Sequence, residues 1–195
     1  MSKIFYQLFV KLYPIIIKVA SPFNEKARSW VNGRKDVFTK MKAIIDAEDK
    51  KLVWMHCSSL GEFEQGRPLL EKLRLEYPAN QILLTFFSPS GYEVRKNYAG
   101  ADYIFYLPAD SRYNAHSFYD IVKPSLIIFV KYEFWYYYLN EAKKRQIPLL
   151  LISAIFRKKQ PFFSKYGDFH RNMLSCFTHI FVQNKESEAL LKTIG

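Results

Sequence analysis

The sequence predicts a doubly wound α/β domain built on a mostly parallel sheet. From Leu52 onward, short apolar runs alternate with stretches of helical spacing. Two of those runs, LIIFV (126–130) and LLLIS (149–153), are almost continuously apolar. Strands covered on both faces need such a composition. Right-handed crossovers then put helices on both sides of the sheet.

Taken in order, the strands are expected at 52–57, 81–88, 103–107, 126–131, 148–153 and 180–183. Helices are expected between them at 62–76, 91–98, 111–122, 134–145 and 164–176, with a last one from Lys185 to Ile194. This main domain occupies 51–184, and 185–195 reads as the start of a connection onward. Ahead of it, 1–22 forms a separate apolar helix and 23–50 a basic helical linker with a turn at Asn32-Gly33.

The N-terminal helix is amphipathic in an unusual way. Gln7, Lys11, Pro14 and Lys18 fall along one stripe, and the remaining surface is apolar or aromatic. Lys11 and Lys18 interrupt the run, so it suits neither a secretory signal nor a spanning helix. It suits a helix lying in a membrane interface, with Lys11 and Lys18 reaching toward lipid phosphates and a kink at Pro14. A helix packed against its own domain would have a similar composition.

The 195 residues carry a formal net charge of +11, from 29 Lys and Arg against 18 Asp and Glu. That balance favours an anionic partner: nucleic acid, a phospholipid surface or a phosphorylated substrate. No nucleic-acid module is recognisable, which disfavours the first. Cys57 and Cys176 stand far apart without companion ligands, and the four histidines show no metal-binding spacing. Neither a zinc site nor a disulfide framework is expected.

Ligands of open α/β sheets bind beyond the carboxyl ends of the strands. The first such loop, HCSSLGE, offers Ser58, Ser59 and Gly61 for close backbone approach, with Glu62 opening the next helix. It lacks the P-loop, GxGxxG and GxSxG patterns. A carboxylate there serves either the helix dipole or general-base chemistry on a hydroxyl. A second loop, SPSGYE, contributes Ser88, Ser90 and Gly91. A third, VKYEFWYYY, sets Lys131 and Glu133 beside Trp135 and three tyrosines, a mixture that suits a sugar. Arg157, Lys158 and Lys159 follow the fifth strand, where they hold phosphate or are simply solvated.

Together and in order, VWMHCSSLGE (53–62), TFFSPSGYE (85–93), YLPAD (106–110), KPSLIIFVKYEFW (123–135) and VQNKESEALLKTIG (182–195) resemble the N-terminal domain of 3-deoxy-D-manno-octulosonic acid (Kdo) transferases. GRK at 33–35 fits the same pattern. The resemblance implies the Rossmann-like N-terminal half of a GT-B glycosyltransferase. Its activity would be inverting transfer of Kdo from CMP-Kdo to a lipid A precursor in lipopolysaccharide biosynthesis, without metal or other cofactor. By that match Glu62 is the general base and Glu133 a second acid. Ser58, Ser59, Gly61, Ser88, Ser90, Gly91 and Lys131 line the acceptor rim. The implied location is the cytoplasmic face of the inner membrane, bound monotopically. The donor would sit mainly in a second domain, so that residues 1–195 alone would be inactive.

There are departures from the family pattern. Tyr132 and Phe134 flank Glu133 where the family usually has Thr and Leu, and Arg157 is displaced by two positions. On the residues alone, two alternatives stay open: a GT-B enzyme with another acceptor, and a non-catalytic α/β module that binds anionic lipid or a phosphorylated ligand.

Overall fold

A computed structural model of the chain describes residues 3–45 and 50–194. Parts of the expected N-terminal helix (1–2), linker (46–49) and C-terminal connection (195) lie outside the described residues. Three helices come first: α1 (Lys3–Ala20), α2 (Glu25–Arg34) and α3 (Val37–Ile44). Strands and helices then alternate as β1 (Leu52–Cys57), α4 (Leu60–Glu76), β2 (Gln81–Phe86), α5 (Pro89–Arg95), β3 (Tyr103–Tyr106) and α6 (Arg112–Val122). They continue as β4 (Leu126–Val130), α7 (Tyr136–Lys144), β5 (Leu149–Ala154), a 3-10 turn at Pro161–Phe163, α8 (Asp168–Leu174), β6 (His179–Val182) and α9 (Lys185–Lys192).

The six strands form one parallel sheet in the order β3-β2-β1-β4-β5-β6. The chain winds outward from β1 to β3, returns to the centre and winds the other way from β4 to β6. The doubly wound expectation therefore holds, and the direction of winding switches between β1 and β4. Crevices for ligands open at such a switch point.

β1 shows why the sheet is buried on both faces. Leu52 and Trp54 point into the core under α3, α6, α7 and α8, whereas Val53, Met55 and Cys57 point into the core under α4. All six residues of β1 are buried. Trp54 alone packs against Phe118, Tyr119, Phe129 and Tyr138, with ring centroids 4.5 to 5.8 Å away. Aromatic pairs in these tilted and edge-on arrangements add about 0.5–1.5 kcal/mol each beyond the area they bury.

The linker departs from expectation. Asn32 and Gly33 are not a turn; they lie within α2. Gly33 is required there because a Cβ would come 2.1 Å from the Tyr106 ring. That close approach places the Arg34 guanidinium 3.9 Å from the Trp30 ring and 4.9 Å from the rings of Phe87 and Tyr106. Arg34 also donates to the carbonyls of Leu107 (2.9 Å) and Phe87 (2.7 Å), tying α2 to the ends of β2 and β3. Burial pulls its pKa down to about 9. The basic linker is thus partly an architectural clamp.

α1 packs one face on the domain and leaves the other bare. Tyr6 and Val10 are buried. The Tyr6 hydroxyl donates to Asp110 Oδ2 at 2.5 Å and accepts from the Tyr136 amide at 3.0 Å. Asp110 also accepts from the amides of Tyr137 (3.1 Å) and Tyr138 (3.2 Å), so it caps α7 from a distance. Burial raises the Asp110 carboxyl to about 6, although Tyr6 and the two amides pull the other way. Helix α1 runs as one helix through Pro14. Among the described residues no single helix is long and apolar enough to cross a membrane; α1 and α2 meet at a bend of 118°.

Candidate active site

Two loops meet at the switch point, one following β1 and one following β4. The first helical residue after β1 is Leu60 rather than Glu62; Ser59 is the N-cap and Glu62 the third residue of α4. Ser59 and Glu62 form a capping box, in which the Ser59 amide donates to Glu62 Oε2 at 3.1 Å. Glu62 therefore has the helix-start role weighed for it, and the same carboxylate stands at the rim. Glu62 is half-buried at the rim. Burial raises its pKa, the Glu133 charge raises it further, and His56 with the amides of Ser58 and Ser59 opposes the shift.

Glu133 lies behind it, only 3% exposed. Its Oε2 accepts from Trp135 Nε1 at 2.5 Å and stands 3.0 Å from His56 Nε2. The latter approach is off the line of the ring N–H, an electrostatic contact rather than an aligned hydrogen bond. The other ring nitrogen of His56, Nδ1, is 2.8 Å from Thr85 Oγ1 and 3.1 Å from the Thr85 carbonyl. Thr85 Oγ1 in turn accepts from Trp54 Nε1 at 2.8 Å. A chain of polar contacts, Trp54–Thr85–His56–Glu133, thus links β1, β2 and the loop after β4 in an otherwise aromatic core. Buried polar groups are costly unless satisfied, and this chain accounts for both indoles, the hydroxyl and one imidazole nitrogen.

His56 was missed as a site residue by sequence reading, because the metal-ligand spacings sought there cannot detect one histidine paired across the sheet. A usable signal was available. A histidine at the last inward position of a fully apolar strand, one residue from the rim, calls for a polar partner.

The remaining sequence-predicted residues divide. Ser58 and Ser59 are at the rim, and Gly61 is exposed with open space where a Cβ would stand. The Ser88 amide donates to the Ser58 carbonyl at 2.8 Å, and the hydroxyls of Ser88 and Ser90 lie 2.7 Å apart, which joins the first two loops. Gly91, by contrast, is buried, and a Cβ there would meet the Phe86 ring at 2.3 Å. It serves packing rather than offering backbone to a ligand. Lys131 is at the rim in the left-handed region, with φ 72°, and Ser153 at the end of β5 has φ 56°. Non-glycine residues held there cost on the order of 1–3 kcal/mol and concentrate at functional sites. Lys11 and Lys18 are exposed on α1, away from the rim, and Arg157 is exposed beyond β5.

Cys57 is fully buried beside this cluster; burial, then the charges of Glu62 and Glu133, push its thiol well up. It is not a nucleophile. Among the described residues no three His, Cys, Asp or Glu side chains converge on a point that could hold a metal ion.

At the switch point two carboxylates thus stand among serine hydroxyls and two non-glycine residues at positive φ. The family model of 3-deoxy-D-manno-octulosonic-acid transferase (kdotransferase) matches residues 33–195. The chain belongs to this family. Curated relatives include the 3-deoxy-D-manno-octulosonic acid transferases of Haemophilus influenzae, 27% identical over 66% of this chain, and of Aquifex aeolicus, 29% identical over 75%. A bifunctional glycosyltransferase/methyltransferase of Fusobacterium nucleatum is 24% identical over 94% of it. The chain spans 30%, 38% and 29% of the lengths of these three relatives. Among solved structures, a UDP-N-acetylglucosamine 2-epimerase superposes with a TM-score of 0.55 at 15% identity, covering 75% of this chain and 46% of that one. That likeness concerns the fold alone. The family match begins at Gly33, so Gly33 and Arg34 lie within it, whereas Trp30 and α1 lie ahead of it.

Proposed function

We propose that the chain is the acceptor-binding domain of a membrane-associated Kdo transferase. It acts with a donor domain to move Kdo from CMP-Kdo to a lipid A precursor with inversion. Glu62 is the general base. Its carboxylate takes the proton from the acceptor hydroxyl as that oxygen attacks the donor's anomeric carbon, and the bond from that carbon to the phosphate oxygen breaks as CMP leaves. The observation that carries this reading is the placement of Glu62: half-buried at the switch point, fixed by the Ser59 amide, with a second carboxylate behind it. Glu133 acts through Glu62, its negative charge making the base stronger, while His56 and Trp135 hold Glu133 in place.

A lipid acceptor fits the surroundings. A cavity of about 260 Å³ runs between Tyr13, Ile17 and Ala20 of α1 and Trp30, Phe87 and Ser88, joining the rim to the N-terminal helix. Beyond it, Ile4, Phe5, Leu8, Phe9, Leu12, Ile15, Ile16 and Val19 form one exposed apolar face of α1, flanked by Lys11 and Lys18. We read this face as lying in the cytoplasmic leaflet of the inner membrane, at the depth where an acylated sugar presents its hydroxyls. No metal or other cofactor takes part in this reading.

The test is E62Q in the protein encoded by the complete reading frame, incubated with CMP-Kdo and a lipid A precursor and followed by mass. Gln still accepts the Ser59 amide, so the capping box survives and stability should change by less than about 0.5 kcal/mol. Transfer should fall by about 10²–10⁴-fold. Normal transfer by E62Q would remove Glu62 as base. No Kdo gain in the folded wild type would remove the Kdo assignment. Activity should also decline on acidification through the raised Glu62 pKa, since only the carboxylate accepts the proton.

A further inference from the structure

The cavity that joins α1 to the rim lies on one flank of the helix. A second cavity, of about 510 Å³, lies on the other flank, between α1, α6 and α7. Lys3, Arg112 and Lys144 stand around it, and none of the three has an acidic partner within ion-pair distance among the described residues. Its one lining acid, Glu141, is already engaged by Arg145 Nε at 2.8 Å and His116 Nδ1 at 3.1 Å. The cavity is therefore cationic. Its floor is aromatic and polar: Lys3 Nζ sits 5.2 Å from the Tyr136 ring centroid, and the Tyr137 hydroxyl accepts from Gln7 Nε2 at 3.1 Å, leaving its own O–H free to donate.

Position decides the ligand class. On α1, Lys3 and Gln7 are followed around the helix by Ile4 and Leu8, which begin the exposed apolar face. A phosphate held by Lys3, Arg112 and Lys144 would have its acyl chains beside that face. A phosphate group is an anion that three cations around one cavity and a phenol O–H suit, through charge-assisted hydrogen bonds. We propose that this cavity binds the phosphate of an anionic membrane lipid other than the acceptor, on the flank of α1 away from the catalytic rim. The bound lipid fixes how the domain sits on the bilayer. This inference rests on the membrane reading of α1.

Vesicle binding of the chain tests it, with phosphatidylcholine vesicles carrying or lacking phosphatidylglycerol. Two variants remove equal charge: R112Q/K144Q at the cavity, and K11Q/K18Q beside the apolar face. General attraction gives each surface cation about a fivefold gain in binding, so it predicts that K11Q/K18Q loses at least as much as R112Q/K144Q. The cavity predicts the reverse: the R112Q/K144Q loss exceeds the K11Q/K18Q loss by about tenfold or more, and only on vesicles with phosphatidylglycerol. Equal losses would overturn the cavity and leave the membrane reading intact. Failure of the wild type to bind any vesicle would overturn both. Inorganic phosphate, compared with chloride at matched ionic strength, separates the sources. If the cavity holds the lipid's phosphate, inorganic phosphate displaces the wild type from phosphatidylglycerol vesicles more than chloride does, and R112Q/K144Q no more than chloride does. Phosphate bound by the wild type with no loss of vesicle binding would make the ligand free phosphate, and the lipid assignment would fall.

Discussion

β1 and α1 are both apolar stretches of this chain, yet the fold uses them in opposite ways. Every residue of β1 is buried, three toward each layer of helices, and its histidine is held by polar partners. In α1 only Tyr6 and Val10 are buried, while eight large apolar side chains are 44–75% exposed. Strand β1 is consumed by the domain's own core. Helix α1 is fastened by a few specific bonds, chiefly Tyr6 to Asp110, and its hydrophobic surplus faces outward. Hydrophobic content alone therefore does not say whether a segment stabilises the fold or addresses something outside it.

The largest expected effect that would break this contrast is at β1. W54A removes the ring around which Phe118, Phe129 and Tyr138 pack, and it leaves Thr85 Oγ1 without its indole donor. Chemical denaturation should show a loss of about 3–5 kcal/mol. A loss below about 1 kcal/mol would mean that β1 is not the centre of the core.

Next in size is the fastening of α1. The Asp110 carboxyl is raised from 3.8 to about 6, so the folded chain holds its proton over a pH range in which the unfolded chain has released it. Stability therefore falls as pH rises from about 4 to 6, by up to about 3 kcal/mol from this group. D110N carries no such proton, so subtracting its urea-denaturation curve from that of the wild type isolates the slope. A difference curve that is flat across this range, or rises with pH, would show that Asp110 is not the buried, proton-holding anchor of α1.

The smallest expected effect sharpens the contrast from the other side. L12S/I16S, on the exposed face of α1, should change folding stability by less than about 0.5 kcal/mol while weakening vesicle binding at least tenfold. Destabilisation of several kcal/mol would mean that this face packs against protein instead.

The fold was largely legible in the sequence because a parallel sheet buried on both faces writes itself as near-continuous apolar runs. All six expected strands exist, and their ends shift by no more than two residues. The errors fall where local signals compete with packing. Asn32-Gly33 has the chemistry of a turn, but it lies inside α2, where the Tyr106 ring fills the space that a side chain at position 33 would need. Gly91 looked available to a ligand, yet the Phe86 ring occupies the space where a side chain would stand.

At the site, the sequence by itself determined that Ser58, Ser59, Gly61, Glu62, Ser88, Lys131 and Glu133 sit at the carboxyl ends of strands, because that follows from element order. Only the tertiary structure decided which loops become neighbours. The reversal of winding between β1 and β4 brings together residues that are distant in the chain, and it sets His56 against Glu133 and both against Glu62. Likewise the sequence determined that α1 is apolar with a basic stripe. Which of its faces stays bare was decided by one phenol reaching one buried carboxylate across the domain. Periodicity is a local property of the chain, whereas partnership depends on the whole path of the backbone.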